Sequence, residues 1–223
     1  MDVKEIKQWF KYHLVDSTAL VVATNPIFCA LESTVGRILA GMTDDISMSA
    51  RMVATATVYG GVGTLFARGR DLSKKLLKIT DSTRERVHTI HDTIYPVVFN
   101  AIISPPLYAL SQYIAQGEVT PKAVIVGTGI AIGLSPFIGY PAGYAIDSFR
   151  DMIGLDSCER SSYPELVRRQ RPKIKKGLVA LLMTGSIATM AGIYSLTPDG
   201  DEKVIAPPSE VYETLEEIGD NSS

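Results

Sequence analysis

Cysteine is scarce in this chain of 223 residues: Cys29 and Cys158 are its two thiols. One lies in an apolar run and the other in a basic stretch, so they fall at different depths and form no disulfide framework. Packing is the role expected of both. No Cys-x-x-Cys pair, phosphate loop or Ser, His, Asp order is present, so no enzyme motif is found and no cofactor is expected. His88 and His91, followed by Asp92, put two imidazoles on one helical face, but no third or fourth metal ligand accompanies them. They read as a solvated face beside a membrane. Net charge is nearly absent as well, at −2, and by itself that excludes no class.

Charge is missing most tellingly from long stretches. Ala123 to Ile146, Ile94 to Gln116 and Gly177 to Pro198 contain no Asp, Glu, Lys or Arg over 24, 23 and 22 residues. A bilayer needs about 20 apolar residues per helix, so each run is long enough to span. Met52 to Ala67 sits between Arg51 and Arg68, and Leu14 to Ile38 carries Asp16, Glu32 and Arg37. Arginines at span ends can snorkel to the interfaces. The reading is therefore an all-α membrane bundle with helices near 14–38, 49–67, 95–116, 123–146 and 177–196. An interfacial segment 1–13 precedes them, a basic loop 152–176 lies before the last, and an acidic tail 197–223 follows.

The distribution of cations orients this bundle. Lys4, Lys7 and Lys11 precede the first run, and the first connection has Asp44 and Asp45 but no cation. The second connection is rich in Lys and Arg, the third has none, and the fourth runs from Arg150 to Lys176. The tail after Leu196 has Lys203 among eight acidic residues. Positive residues concentrate on the cytoplasmic side, which puts the N-terminus inside and the C-terminus outside a cell membrane crossed several times. Trp9, Phe10 and Tyr12 beside Lys7 and Lys11 suit an interfacial anchor. Leu72, Leu76, Leu77, Ile79, Val87 and Ile90, set among cations, suit the inner lipid surface.

Ionisable groups within or next to spans need partners or water. Asp16 falls level with Arg70, Asp71, Asp147 and Arg150, and Glu32 falls nearer Arg51, so two charged layers are expected, one at each membrane face. Asp147 and Arg150 are three apart and share a helix face, which permits an intrahelical pair. Pro26, Pro105, Pro106, Pro136 and Pro141 each remove a backbone donor, and broken helices commonly line transport paths. Gly129 with Gly133 and Gly139 with Gly143 have the spacing that lets helix backbones approach closely.

The stretches "GMTDDISMSARMVA" (Gly41 to Ala54), the pair Arg70-Asp71, "SPPLYAL" (Ser104 to Leu110) and "GYPAGYAIDSFR" (Gly139 to Arg150) resemble the small bacterial L-alanine exporter family. The resemblance covers about residues 14–151, a four-helix core, and the fifth helix and acidic tail lie beyond it. It implies proton-coupled export of L-alanine or a similar small neutral amino acid. A zwitterion needs an anion near its ammonium and a cation or helix N-terminus near its carboxylate. Glu32 with Arg51 meets both ends, or Glu32 carries the coupling proton. Tyr108 and the backbone at Pro105 and Pro106 are candidates for the pathway wall. The expected partners are the amino acid, protons, the lipid bilayer and further copies of the chain, a homo-oligomer, with no nucleic acid. A non-transporting membrane anchor or assembly factor, and an exporter of another solute, are the alternatives.

Overall fold

In the computed structural model the described residues are 2–31, 33–34, 44–80, 83–116, 119 and 121–197. Every regular element among them is helical. The helices are α1 (Val3–Leu31), α2 (Asp44–Thr57), α3 (Gly63–Leu76), α4 (Glu85–Gln116), α5 (Pro121–Ile153), the single turn α6 (Glu165–Arg168) and α7 (Pro172–Leu196).

Local sequence explains where they begin and end. α1 starts at Val3, well before the expected span at 14, because the Glu5 carboxylate accepts from the Asp2 backbone N–H at 2.9 Å. That contact is half of a capping box and nucleates the helix early. The stretch from Val3 to His13 is thus helical and continuous with the rest of α1. α4 likewise starts at Glu85, ten residues before the expected 95. α5 ends at Gly154, whose φ of 80° suits glycine. There the Leu155 N–H donates to the Arg150 carbonyl and the Gly154 N–H to the Asp151 carbonyl, the two bonds of a Schellman cap. The cap turns the chain back beneath the helix ends, so the segment expected as an open basic loop is folded.

The expected helix breaks at proline need correction. α1 runs through Pro26, α4 through Pro105 and Pro106, and α5 through Pro136 and Pro141 without ending. A proline removes one donor, and a long helix tolerates that when the surrounding turns keep theirs. The real discontinuity falls inside the expected 49–67 span. Val58–Val62 forms a π-helical turn between α2 and α3, and within it Gly61 has φ 127° and ψ −21°, which L side chains rarely adopt. α1 backs this break with polar groups. The Ser17 hydroxyl donates to the Val58 carbonyl at 3.2 Å, Thr18 meets the Tyr59 hydroxyl at 2.8 Å, and the Asn25 amide donates to Thr55 at 2.9 Å.

α5 is central, with its most extensive contact along α4 and further contacts to α1 and α7. Its inner core joins Ala19 and Leu20 of α1, Phe66 and Ala67 of α3, Ala142, Ile146, Phe149 and Met152 of α5, and Val179 of α7. The Phe66 ring meets Tyr95 and Phe99 of α4 edge-on at 5.2 and 5.1 Å. α1 and α7 are long and apolar enough to cross a membrane. α7 buries Val179 and Ser186 and turns Leu181, Leu182 and Ile187 outward. Leu65, Ile94, Val98, Ile102, Ile125 and Phe137 also face out, while charged groups lie inside. A surface this apolar suits hydrocarbon better than water.

Close approach of α4 to α5 depends on two glycines. A Cβ at Gly139 would collide with the Asp92 carbonyl and come within 2.8 Å of Pro96, and one at Gly143 would collide with the Asp92 carboxylate. No described atom lies within 4 Å of such a Cβ at Gly129 or Gly133. Gly139→Ala is therefore expected to lower stability by about 1 to 3 kcal/mol through overpacking, while Gly129→Ala is neutral or slightly stabilising. Thermal unfolding in detergent checks this, and equal effects at the two positions would contradict it.

Candidate functional site: an ion-pair network at the helix ends

Arg70 on α3 is fully buried, and both edges of its guanidinium are occupied. Its Nε and Nη2 donate to the Asp92 carboxylate of α4 at 2.8 and 2.9 Å. Its Nη1 and Nη2 donate to the Asp147 carboxylate of α5 at 2.8 Å each. One planar fork thus ties three helices with paired, charge-assisted bonds. His91 lies against the Asp92 carboxylate at 3.1 Å and against the Ser73 hydroxyl at 3.0 Å.

The folded-back segment adds a second arginine. Arg160 is almost completely buried, its Nε donates to Asp147 at 2.7 Å, and its Nη2 donates to Asp92. Its Nη1 reaches Glu85 at 3.4 Å, its guanidinium stands over the Tyr144 ring, and its carbonyl accepts from Arg168. Lys74 lies 3.3 Å from Asp147. Nearby, Asp151 accepts from the Tyr163 hydroxyl at 2.8 Å and from Lys175 at 2.6 Å, which fastens the segment to α5 and α7.

A second cluster adjoins the first. Arg150 donates through Nε and Nη2 to Asp16 of α1 at 2.7 and 2.8 Å, and through Nη1 to Asp71 at 2.8 Å. Asp156 lies 3.9 Å away and accepts from the Tyr12 hydroxyl. Three carboxylates therefore share the Arg150 charge, whereas the Arg70 cluster balances its charges. Asp71 also lies 3.8 Å from Arg70 and links the two. A polar cleft of about 330 Å³ opens among Asp71, Lys74, His88, Asp147, Arg150 and Arg160.

Asp92 and Asp147 stand just beyond the charge-free runs, and their electrostatics are governed by these neighbours. Burial opposes the ionisation of both carboxyls. For Asp92 the hydrogen bonds from His91 and Arg70 and the Arg70 charge outweigh it, and for Asp147 the charges of Arg70, Lys74 and Arg160 do. Both are held well below the ordinary carboxylate range. In the folded-back segment burial pushes the Cys158 thiol up to about 11.

The structure brings together Asp16, Arg70, Asp71, Asp147 and Arg150, the whole expected inner layer, though not as an Asp147 to Arg150 pair. Asp147 belongs to Arg70 and Arg160, and Arg150 to Asp16 and Asp71. Arg51 lies at the far end of the bundle, 4.6 Å from the centre of the Phe28 ring. Glu32 and the Tyr108 side chain fall outside the described residues. Asp92, Arg160 and Glu85 were not anticipated. His88, His91, Asp92 and Tyr95 recur at helical spacing beside the apolar Val87, Ile90 and Ile94, and that polar stripe is the signal for Asp92. His88 and His91 are buried rather than solvated. No group of three or more metal-ligating residues occurs among those described. No family model, characterised protein or solved structure matches the chain.

Removing one partner of a buried ion pair leaves an uncompensated charge. Asp92→Asn is accordingly expected to cost about 3 to 5 kcal/mol, while Glu165→Gln, at the exposed pair with Arg169, leaves the melting temperature unchanged. The acid limit follows from the depressed carboxyls. A carboxyl whose folded pKa lies below its unfolded value of about 4 stabilises the fold above that pH and loses its contribution as the pH falls through the folded value. Melting should be insensitive to these groups at neutral pH and drop below roughly pH 4, and Asp92→Asn should lessen that acid drop. A variant with the stability and acid profile of the parent protein would contradict the network's role.

Proposed function

We propose that the chain is a multi-pass membrane exporter of a small neutral amino acid such as L-alanine, driven by protons, with the ion-pair network as its cytoplasmic gate. The observation that carries this reading is the network itself: paired charges from α1, α3, α4, α5 and the folded-back segment seal one end of a bundle whose outward faces are apolar. Sealing by charge pairs is reversible, because each guanidinium can exchange one carboxylate for another or for water.

The path suggested by the packing runs along α1 beside the broken α2–α3 helix. Its network end is the polar cleft. At the far end a cleft of about 400 Å³ is lined by Asn25, Arg51 and Thr55 together with Met48, Met52 and Met190. An arginine beside amide and hydroxyl groups suits a carboxylate, and the methionines suit a short apolar side chain. Between the clefts, the turn at Gly61 supplies the irregular backbone that membrane helices tolerate where polar neighbours meet it. The resemblance of residues 14–151 to the L-alanine exporters points the same way.

Asp16 suits the coupling role on this side, because it is buried and shares Arg150 with two other carboxylates. Losing its charge leaves Arg150 paired with Asp71, so the gate can loosen without stranding a cation. The test is flux from proteoliposomes loaded with labelled L-alanine, with and without a pH gradient. The parent protein is expected to release alanine faster under the gradient. Asp16→Asn should insert normally, lose at least about tenfold of the gradient-driven rate, as expected for a group essential to proton transfer, and retain exchange of internal for external alanine. Correctly inserted parent protein that moves no small neutral amino acid would overturn the reading and favour an anchoring role. Unchanged gradient-driven flux in Asp16→Asn would remove Asp16 from the coupling.

A further inference from the structure

On the side of α4 away from α5, the end of α3 and the start of α4 enclose an apolar groove of about 650 Å³. Leu77, Ile79, Val87, Ile90, Ile94 and Val98 line it, and Leu77, Val87, Ile90, Ile94 and Val98 are strongly exposed. The groove is shaped by the end of α3. Lys78 takes φ 55°, the Ile79 N–H donates to the Lys74 carbonyl, and the Lys78 N–H donates to the Lys75 carbonyl. This Schellman turn brings Ile79 back toward the groove and keeps Lys78 in solvent.

The groove changes character along its length. Val98 and Ile94 belong to the charge-free run of α4. Val87, about 16 Å nearer the N-terminus of α4 at 1.5 Å per residue, lies among cations. Lys75, Lys78, Arg84 and Arg86 are all exposed and flank Leu77, Ile79 and Val87 in the chain. None of these four pairs with a carboxylate among the described contacts, in contrast to the cations of the network. An apolar trough whose lining residues Leu77, Ile79 and Val87 are flanked in the chain by exposed cations with no carboxylate partner among the described contacts complements a molecule with an acyl chain and an anionic head. Neutral lipid would fill the trough and leave the cations unused.

We infer that this groove is a binding site for an anionic phospholipid, its acyl chain against Ile90, Ile94 and Val98 and its phosphate at Lys78, Arg84 and Arg86. The site also touches the network. His91 and Ser73 line the groove, and they hydrogen-bond to each other while His91 contacts Asp92. A lipid seated there covers the outer side of His91 and supports the group that holds Asp92 in place. The inference rests on the membrane placement and is independent of transport.

The test uses full-length protein, delipidated in detergent, offered phosphatidylglycerol or phosphatidylcholine, and read by native mass spectrometry and thermal unfolding. A single phosphatidylglycerol adduct is expected, with a raised melting temperature, and little retention of phosphatidylcholine. With each surface cation worth roughly a factor of five, the triple variant Lys78→Gln, Arg84→Gln, Arg86→Gln should weaken the adduct about a hundredfold at unchanged helicity. Ile90→Trp, which fills the trough and keeps the cations, should also weaken it. If the triple variant folds poorly, competition between the two lipids on the parent protein still decides. Equal retention of both lipids, or an adduct that survives both sets of substitutions, would overturn the proposal. Absence of alanine flux alongside selective lipid retention would overturn the transport reading alone.

Discussion

The fold turns on a single buried guanidinium. Arg70 has no route to water and is tolerated because Asp92 and Asp147 each give it a two-pronged contact. Isolated, such a charge is expensive to bury, and its partners would be too. The surrounding structure serves this arrangement. Gly143 lacks the side chain that would occupy the Asp92 carboxylate's position, Gly139 brings the α4 backbone close, and the turn at Gly154 returns Arg160 to share both carboxylates. Packing of α3, α4 and α5 and neutralisation of Arg70 are therefore one constraint.

The same constraint gives the bundle an inside-out distribution, with ion pairs within and apolar side chains without. Hydrocarbon around such a bundle strengthens the incentive to keep every charge paired, because no solvent competes for it. Polar contacts along α1 extend this logic toward the far end, where Ser17, Thr18 and Asn25 meet the discontinuous helix. The two ends differ in kind: one is closed by charge, the other lined by methionine around a few polar groups. That asymmetry is what the export reading builds on.

Much of this was legible in the residues. The lack of charge over 123–146 and 177–196 marked two of the helices, and the clustering of Asp16, Arg70, Asp71, Asp147 and Arg150 at one depth followed from where charge resumes. Pairing was not legible. Helix periodicity places Asp147 near Arg150, but the choice between that neighbour and Arg70 depends on how closely α3 and α4 approach, which is tertiary. Asp92 was hidden because a His-His-Asp stripe reads equally well as a wet surface. Arg160 was hidden among loop cations, since nothing local distinguishes a topogenic arginine from one that folds back. Proline drew attention away from the real discontinuity. Pro136 and Pro141 sit in an unbroken helix, while Gly61, in an unremarkable "YGGVG", carries the break.

The central claim is that the ion-pair network opens and closes one end of the bundle. Cys158 reports on it directly, since the thiol lies 2% exposed in the Arg160 segment and borders the polar cleft. The measurement is the rate at which a membrane-impermeant thiol reagent modifies Cys158 from the network side of vesicles, in a Cys29→Ala background. The account predicts slow labelling at rest, because a buried thiol held up near 11 is rarely a thiolate, and labelling accelerated severalfold when L-alanine and a proton gradient are supplied together. Labelling at one rate under every condition, in protein that transports, would contradict it.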